Sequence, residues 1–407
     1  MPVQLDRVPE ALDTPSAPRV WLWGLSLLVL MALGVALALW LGPERLMQDS
    51  QRFWWWASGV PALVWFGAFF MRGLLYLGQL SVVEGWNEKR EAELTQLMRR
   101  GRRSQQLLAV SLQTALRAPE ADGQAQRASL LAKDGGALRT QADWRGQARR
   151  HSRLPWLEHE TEYQVLQRAL STLLGELAGA LAEFPPERPV ALLLETNSEL
   201  SSEITDRLWQ ESLAQSGIRQ AIARIDGRGL AAIDHWLDQR NQDQAILLVV
   251  AIQFAPSMVE GSAEAVAGLL FGNRRTQHVL PPMAYLHRPE RVHAMTQEGV
   301  LQAALQALDW ALVPARLIGR VWMAGVDRSH DPMITSVMER AALPIQACHD
   351  LDELLGNTDS AAPWVAIAAA VETMAREAAP QFIFSVDHEE DASLWCSVVI
   401  PAQAPGE

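Results

Sequence analysis

Cysteine is scarce in this chain, whose 407 residues include only Cys348 and Cys396. Two thiols are too few for the disulfide framework of a small secreted protein, and they suit a reducing compartment. The formal net charge of −12 argues against general binding of nucleic acids. A phosphate-binding loop is also missing, because Gly227-Arg228-Gly229 lacks a third glycine and a lysine followed by serine or threonine. We therefore expect neither a disulfide-rich secreted protein nor a P-loop enzyme, and we expect no cofactor.

Charged residues are absent from two long stretches near the N-terminus, Val20 to Gly42 and Phe53 to Met71, and the second continues past Arg72. Each stretch is long enough to cross a hydrocarbon core of about 30 Å as a helix. Tryptophan residues flank both stretches, as expected at the depth of the lipid headgroups. We predict a tail at residues 1–19 and a transmembrane hairpin at residues 20–79, with spans at 20–42 and 53–78. Pro61 is expected to kink the second span.

Basic residues are concentrated after the second span, where seven lie between Arg72 and Arg103. The short loop between the spans balances two arginines against two acidic residues. The positive-inside rule then places the long C-terminal part in the cytoplasm, and two spans place the N-terminus there as well. We therefore predict a multi-pass protein of a bacterial inner membrane, with the lipid bilayer as its first partner.

The segment behind the spans shows three kinds of composition. Apolar residues recur at helical spacing from Trp86 to Arg117, which predicts an amphipathic juxtamembrane helix over residues 80–118. Its basic cluster, Arg99 to Arg103, either contacts anionic lipids or forms a solvated face. Residues 119–153 have few large apolar side chains and are interpreted as a linker. A compact cytoplasmic domain is expected over residues 154–407.

Apolar strands alternate with helices throughout that domain. Pro189 to Leu194 and Ala245 to Ile252 are predicted to be buried strands, and Ala361 to Ala378 an alanine-rich helix. Two strands, Phe382 to Val386 and Leu394 to Ile400, are predicted to end the fold. The alternation indicates an α/β domain whose mostly parallel or mixed sheet is covered on both faces.

Five segments, taken in order, resemble the β-ketoacyl synthase and thiolase superfamily. The resemblance covers roughly residues 153–401 and implies a layered α/β/α/β/α fold made by duplication of a five-stranded sheet. The segments are Ile225 to Ala251 (the nucleophile turn, helix and strand), Glu260 to Asn273 (the return strand), Gly325 to Arg340 (the first histidine), Leu355 to Met374 (the second histidine and an alanine-rich helix) and Phe382 to Pro401 (the final hairpin).

Active members of this superfamily use a cysteine nucleophile at the start of a helix, together with a pair of histidines. The resemblance places Asp226 at the nucleophile position, His330 near the first histidine and Asn357 at the second. The final turn, Asp387 to Asp391, carries bulky acidic residues where active members have small glycines. The resemblance therefore implies a degenerate thiolase-like domain without catalytic residues.

Three functions remain open. The first is a non-catalytic, membrane-tethered scaffold or adaptor. This architecture resembles accessory proteins of bacterial type VI secretion systems, particularly adaptors that accompany lipase effectors, which implies secretion components or an effector as partners. The second is a membrane-bound acyl-condensing or acyl-transfer enzyme with Asp226 or Cys348 as an unusual nucleophile. The third is a membrane-assembly component whose hairpin packs against other subunits through small residues in the spans. A homo-oligomer is also compatible with the sequence.

Other polar clusters have plainer interpretations. Cys348-His349-Asp350 is not expected to form a triad, because adjacent residues rarely point at one another. His278, His287 and His293 lack the close spacing and the carboxylate of a metal site. A basic patch is either a binding surface for an acidic partner or a solvated loop. Its members are Arg274, Arg275, Arg288 and Arg291.

Overall fold

The structure is a computed structural model that describes residues 8–41, 43, 49–119, 122–133, 136–239, 246–273, 276, 278–387 and 393–402. The chain forms two compact units, which are divided in sequence between Leu97 and Met98. The first unit is helical, and the second contains the sheet that carries the candidate site.

The first unit contains helix α1 (Val20–Leu41) and most of helix α2 (Ser50–Gly101), which includes a π-helical turn at Trp55–Gly59. Both helices are long and apolar enough, by length and composition, to cross a membrane. They contain the two predicted spans, apart from Gly42, which lies outside the described residues.

Helices α1 and α2 approach closely where Gly34 meets the turn before Pro61. A Cβ atom on Gly34 would overlap the carbonyl oxygen of Ala57, so only glycine permits this approach. Proline has no N–H to donate to the Ala57 carbonyl four residues earlier. The π-helical turn lies just before this point, and α2 continues without a break.

The prediction of a helix over residues 80–118 is wrong beyond Gly101, because Ser104–Gln113 is strand β1. Leu108 and Leu112 have the spacing of a helix face. In the structure the leucines of β1 alternate between two cores, with Leu107 and Leu112 on one face of the sheet and Leu108 on the other. A strand buried on both faces lacks the simple alternation that identifies a half-exposed strand.

The interpretation of residues 119–153 as a linker is also wrong. This segment forms helix α3 (Gln124–Ala132) and a hairpin of strands β2 (Arg139–Ala142) and β3 (Ala148–His151). Polar contacts replace a large apolar core here: the buried Gln126 side chain accepts from Thr114 Oγ1 at 2.7 Å and donates to the Leu112 carbonyl at 3.0 Å. The second unit therefore begins at Met98 and not at residue 154.

The second unit repeats one pattern of elements twice. The first half is β1, α4 (Glu162–Ala182), β4 (Val190–Ser198), α5 (Ser202–Gln215), β5 (Ile222–Arg224), α6 (Gly229–Gln239), β6 (Ile246–Phe254) and β7 (Ala265–Gly272). The second half is β8 (Ala284–His287), α7 (Gln297–Ala311), β10 (Arg320–Ala324), α8 (Asp331–Arg340), β11 (Cys348–Asp350), α10 (Ala362–Met374), β12 (Gln381–Asp387) and β13 (Ser393–Pro401), with the short β9 (Glu290–Arg291) and α9 (Leu351–Leu354) inserted.

The strand order confirms the duplication. It runs β11-β10-β12-β13-β8-β1-β7-β6-β4-β5, with β9 pairing off this path. In the first half β1 and β7, and β7 and β6, are antiparallel, whereas β6, β4 and β5 are parallel. The second half repeats this arrangement with β8, β13, β12, β10 and β11. An antiparallel pairing of β1 with β8 joins the halves.

Three apolar clusters define five layers. Helices α6 and α10 pack between the inner faces of the two sheet halves, while α4 with α5 and α7 with α8 cover the outer faces. Apart from Glu372, every residue of α10 is buried, and its alanines let both sheet faces approach closely. The predicted layered α/β fold and its mixed sheet are confirmed.

Candidate functional site

A cavity of about 320 Å³ lies where two strands end and the two middle helices begin. Strands β4 and β12 end there, and α6 and α10 start at Gly229 and Ala362. Two helix N-termini therefore bring partial positive charge to one place. Its polar lining comprises three carboxylates, two hydroxyls, one amide and one guanidinium: Glu195, Asp359, Asp387, Thr196, Ser360, Asn197 and Arg228.

Glu195 connects the starts of the two middle helices. It is the sixth residue of β4 and points into the middle layer, where its side chain is 8% exposed. One carboxylate oxygen accepts the backbone N–H of Gly229, and the other accepts the indole N–H of Trp364 at 2.8 Å. Glu195 therefore accepts one hydrogen bond from the first residue of α6 and one from the third residue of α10.

Asp387 fills the space beside the same helix start. A Cβ atom on Gly229 would overlap the Asp387 carboxylate, and the φ of +53° at Gly229 also favours glycine. Asp387 is 4% exposed and ends β12, so the strand holds its position. The predicted acidic turn thus reaches the cavity through its first residue, while residues 388–391 lie outside the described part of the chain.

Asn357 and Asp359 form the turn in front of α10. Asn357 Oδ1 accepts the backbone N–H of Asp359 at 2.6 Å, and the Asp359 carboxylate accepts the Asn197 amide. The Asn357 backbone pairs with Gly261 and Ala263 at 2.9 and 2.8 Å. Asn357 therefore shapes the turn, while its neighbours Asp359 and Ser360 line the cavity.

The structure does not gather the three predicted degenerate positions in the cavity. Asp226 is exposed, although the next two residues, Gly227 and Arg228, line the wall. His330 is half-buried in the turn that precedes α8 and is not among the lining residues. The assignment of Asp226, His330 and Asn357 as remnants of a catalytic set stays a prediction.

Two hydroxyl groups, of Thr196 and Ser360, lie in the described part of the cavity wall. In the described wall there is no cysteine, histidine or lysine. Ser360 and Thr196 donate no side-chain hydrogen bond to a carboxylate within the described residues. A serine or threonine nucleophile needs a base within hydrogen-bonding distance.

The Cys348-His349-Asp350 segment is strand β11 at the edge of the sheet, so Cys348 and His349 point to opposite faces. Burial, reinforced by Asp350, raises the pKa of the Cys348 thiol to about 11. His349 Nε2 accepts from Arg320 Nε at 3.0 Å, and Nδ1 lies 3.2 Å from the Leu130 carbonyl. Burial and Arg320 lower the pKa of His349 to about 4. Burial therefore disfavours a Cys348 thiolate, and both ring nitrogens of His349 have partners other than Cys348.

Arg288 does not belong to the predicted basic surface patch, because it is buried. Arg288 is 0% exposed and forms ion pairs with Asp234 at 2.9 Å and Asp238 at 2.6 Å, so its prediction as a surface binding residue is wrong. Its partners lie one turn apart on α6, which the spacing of the arginines alone could not reveal. Arg291 is exposed and donates to Ser393. Arg274 and Arg275 lie outside the described residues.

The basic cluster Arg99 to Arg103 divides in a similar way. Arg100 and Arg103 bind Asp238 at the end of α6, with nitrogen–oxygen distances of 3.0 and 3.1 Å. Arg99 and Arg102 are exposed. Half of this cluster is therefore structural and only the other half remains available for solvent or lipid.

Comparison with solved structures identifies the fold. The chain is similar to the ishigamide ketosynthase/chain length factor, with a TM-score of 0.52 and 14% identity over 74% of this chain and 99% of that one. It is also similar to a ketosynthase in complex with its chain length factor from Xenorhabdus doucetiae, with a TM-score of 0.50 and 15% identity over 74% and 98% of the two chains. The fold is thiolase-like.

A third thiolase-like structure, the module 6 ketosynthase of the bacillaene synthase from Bacillus subtilis, has a TM-score of 0.51 and 13% identity over 74% of this chain and 71% of that one. No family model and no curated protein matches the sequence. Identities of 13 to 15% establish the fold alone.

The sequence interpretation did not single out Glu195 and Asp359, two of the carboxylates that line this cavity. Glu195 was detectable as a carboxylate at the end of an otherwise apolar buried strand, because buried carboxylates need hydrogen-bond partners. Asp359 lies two residues after Asn357, within the loop that the sequence had already singled out.

Proposed function

We propose that the thiolase-like unit binds a protein partner, performs no acyl chemistry and acts as a non-catalytic adaptor held at a membrane by α1 and α2. One observation carries this proposal: the start of α6, where the superfamily resemblance expects a thiolate, is occupied by the carboxylates of Glu195 and Asp387. A thioester attack creates an oxyanion, which nearby carboxylates would destabilise.

Incubation with acyl thioesters tests this proposal. We expect no covalent adduct by intact mass, because both thiols have raised pKa values through burial and neither lines the cavity. The competing function, an acyl-transfer enzyme with Asp226 or Cys348 as nucleophile, predicts a stoichiometric adduct. Loss of such an adduct and of biological activity in Asp226→Asn or Cys348→Ser would establish the enzyme instead.

The membrane part of the proposal is an inner-membrane hairpin with both termini in the cytoplasm. Two apolar helices of spanning length and the basic residues after the second span support it. A reporter that is active only in the periplasm should be silent when fused after Glu407 and active when inserted between Glu44 and Gln51. The reverse pattern would exclude this topology.

The adaptor part of the proposal places the protein in a bacterial type VI secretion system. A ketosynthase that was solved in complex with its chain length factor supports the idea that this fold can present a surface to a protein partner. Purification of the full chain from solubilised membranes should recover a secretion component or an effector. Recovery should fall with Arg274→Glu plus Arg275→Glu, because a reversal of charge changes the electrostatic steering of association. Delivery of effectors that is unchanged without the protein would exclude this assignment.

A further inference from the structure

The segment before α1 is bound along α2 by specific hydrogen bonds. Asn87 pairs with the backbone of Leu12 in both directions: Leu12 N–H donates to Asn87 Oδ1, and Asn87 Nδ2 donates to the Leu12 carbonyl, both at 3.0 Å. Three residues further along α2, Arg90 Nε donates to the Pro9 carbonyl at 2.6 Å. A side-chain amide that satisfies both backbone groups of one residue fixes that residue in position.

The length of this segment matches the distance that it must cover. Trp65 Nε1 of α2 donates to the Trp23 carbonyl of α1 at 3.0 Å, so these residues lie at the same level. Asn87 lies 22 positions beyond Trp65, which corresponds to about 33 Å of helix. The stretch from Trp23 back to Leu12, helical only as far as Val20, reaches about 31–33 Å when its non-helical part is fully extended.

Composition favours this extended state. Prolines at positions 9, 15 and 18 restrict the backbone to extended conformations. A segment that is stiff before it binds loses less conformational entropy when it is ordered. Its charges do not supply an alternative anchor, because Arg19 is opposed by Glu10 and Asp13.

We propose that residues 8–19 form a length-matched strap, which binds α2 at Asn87 and Arg90 and holds the N-terminus on the side of the membrane where α2 emerges. The inference rests on the proposed insertion of α1 and α2 as a hairpin. The tail has too little net charge to select a side by the positive-inside rule. The strap instead fixes the side of the membrane on which the N-terminus lies, because its contacts with α2 exist only when both ends of the hairpin lie on one side.

Distance measurement between two spin labels tests the strap. The labels are attached through Asp13→Cys and Glu91→Cys in full-length protein with Cys348→Ser, reconstituted in lipid nanodiscs; Cys396 is buried and does not react. We expect one narrow, short distance. Asn87→Ala should lower the ratio of bound to free tail about tenfold, because two hydrogen bonds are lost. Glu88→Ala, an exposed neighbour with no contact to the tail among the described residues, should leave the distance unchanged.

A change in tail length provides a second test. Deletion of Ser16 and Ala17 shortens the reach by about 7 Å, so Leu12 should no longer reach Asn87 and the distance distribution should broaden. Insertion of two serines at the same place adds slack and should preserve the short distance. A broad distribution in the parent protein, or a narrow one that survives both Asn87→Ala and the deletion, would overturn the strap. Extraction of the protein from membranes by alkaline carbonate would instead refute the hairpin, independently of the measured distance.

Discussion

A chain that begins at residue 154 is expected to remain unfolded, whereas one that begins at residue 98 is expected to fold. The difference is strand β1, which lies between β7 and β8 in the middle of the sheet. Its leucines at 107, 108 and 112 are 0%, 3% and 0% exposed. Burial of three leucines contributes about 5–9 kcal/mol, which is comparable to the total stability of a typical domain, about 5–15 kcal/mol.

Loss of β1 also leaves the edges of β7 and β8 unpaired, and unpaired edges promote aggregation. Thermal melts followed by near-UV circular dichroism distinguish the two chains. Residues 98–407 should melt cooperatively, and Leu112→Ala in that chain should lower its stability by about 2–5 kcal/mol. A cooperative melt with fixed aromatic signals for residues 154–407 would refute the assignment of β1 to the core.

Three further predictions concern single side chains. Gly229→Ala should destabilise the unit by at least about 1 kcal/mol in urea melts, because the new methyl group overlaps Asp387 and the φ of Gly229 is positive. Gly217→Ala is the control: its φ is also positive but its Cβ would meet open space, so it should cost less. Arg288→Ala should cost about 3–5 kcal/mol, because it removes the ion pair of the buried Asp234 carboxylate and one of the three arginines around Asp238. Unchanged stability in the same urea melts would contradict this buried network. Burial raises the pKa of Glu290 from 4.5 to about 7. Its contribution to the free energy of unfolding is therefore fully present below about pH 4.5 and is lost, by up to about 3 kcal/mol, as the pH rises through 7. Glu290→Gln should make the free energy of unfolding less dependent on pH in this range, and an unchanged pH profile would exclude this role of Glu290.

The sequence was sufficient for the elements that have strong local signals. The apolar runs predicted as strands are found in β4 and β6. The structure extends the first run by four polar residues, 195–198, and the second by Gln253 and Phe254. Helix α10 was predicted from its alanines, which suit a helix between two sheet faces. In these segments local preference and tertiary environment agree, so the short pattern alone was informative.

The sequence was misleading where burial came from distant parts of the chain. Strand β1 has Leu108 and Leu112 at helical spacing, and only β7 and β8, more than 150 residues away, make it a strand. Arg288 was interpreted as a surface cation because its partners Asp234 and Asp238 are separated from it by about fifty residues. Long-range pairing of this kind leaves no local pattern in a single sequence.

A single substitution to cysteine at the degenerate position is not expected to restore acyl transfer. Asp226 matches the nucleophile position by resemblance, yet it is exposed and outside the cavity wall. The helix start that would stabilise a thiolate or an oxyanion already holds Glu195 and Asp387. Asp226→Cys should therefore react with a neutral maleimide, because it is accessible, and should form no acyl adduct with an acyl thioester. Stoichiometric acylation of Asp226→Cys, measured by intact mass, would show that the two carboxylates do not block the chemistry.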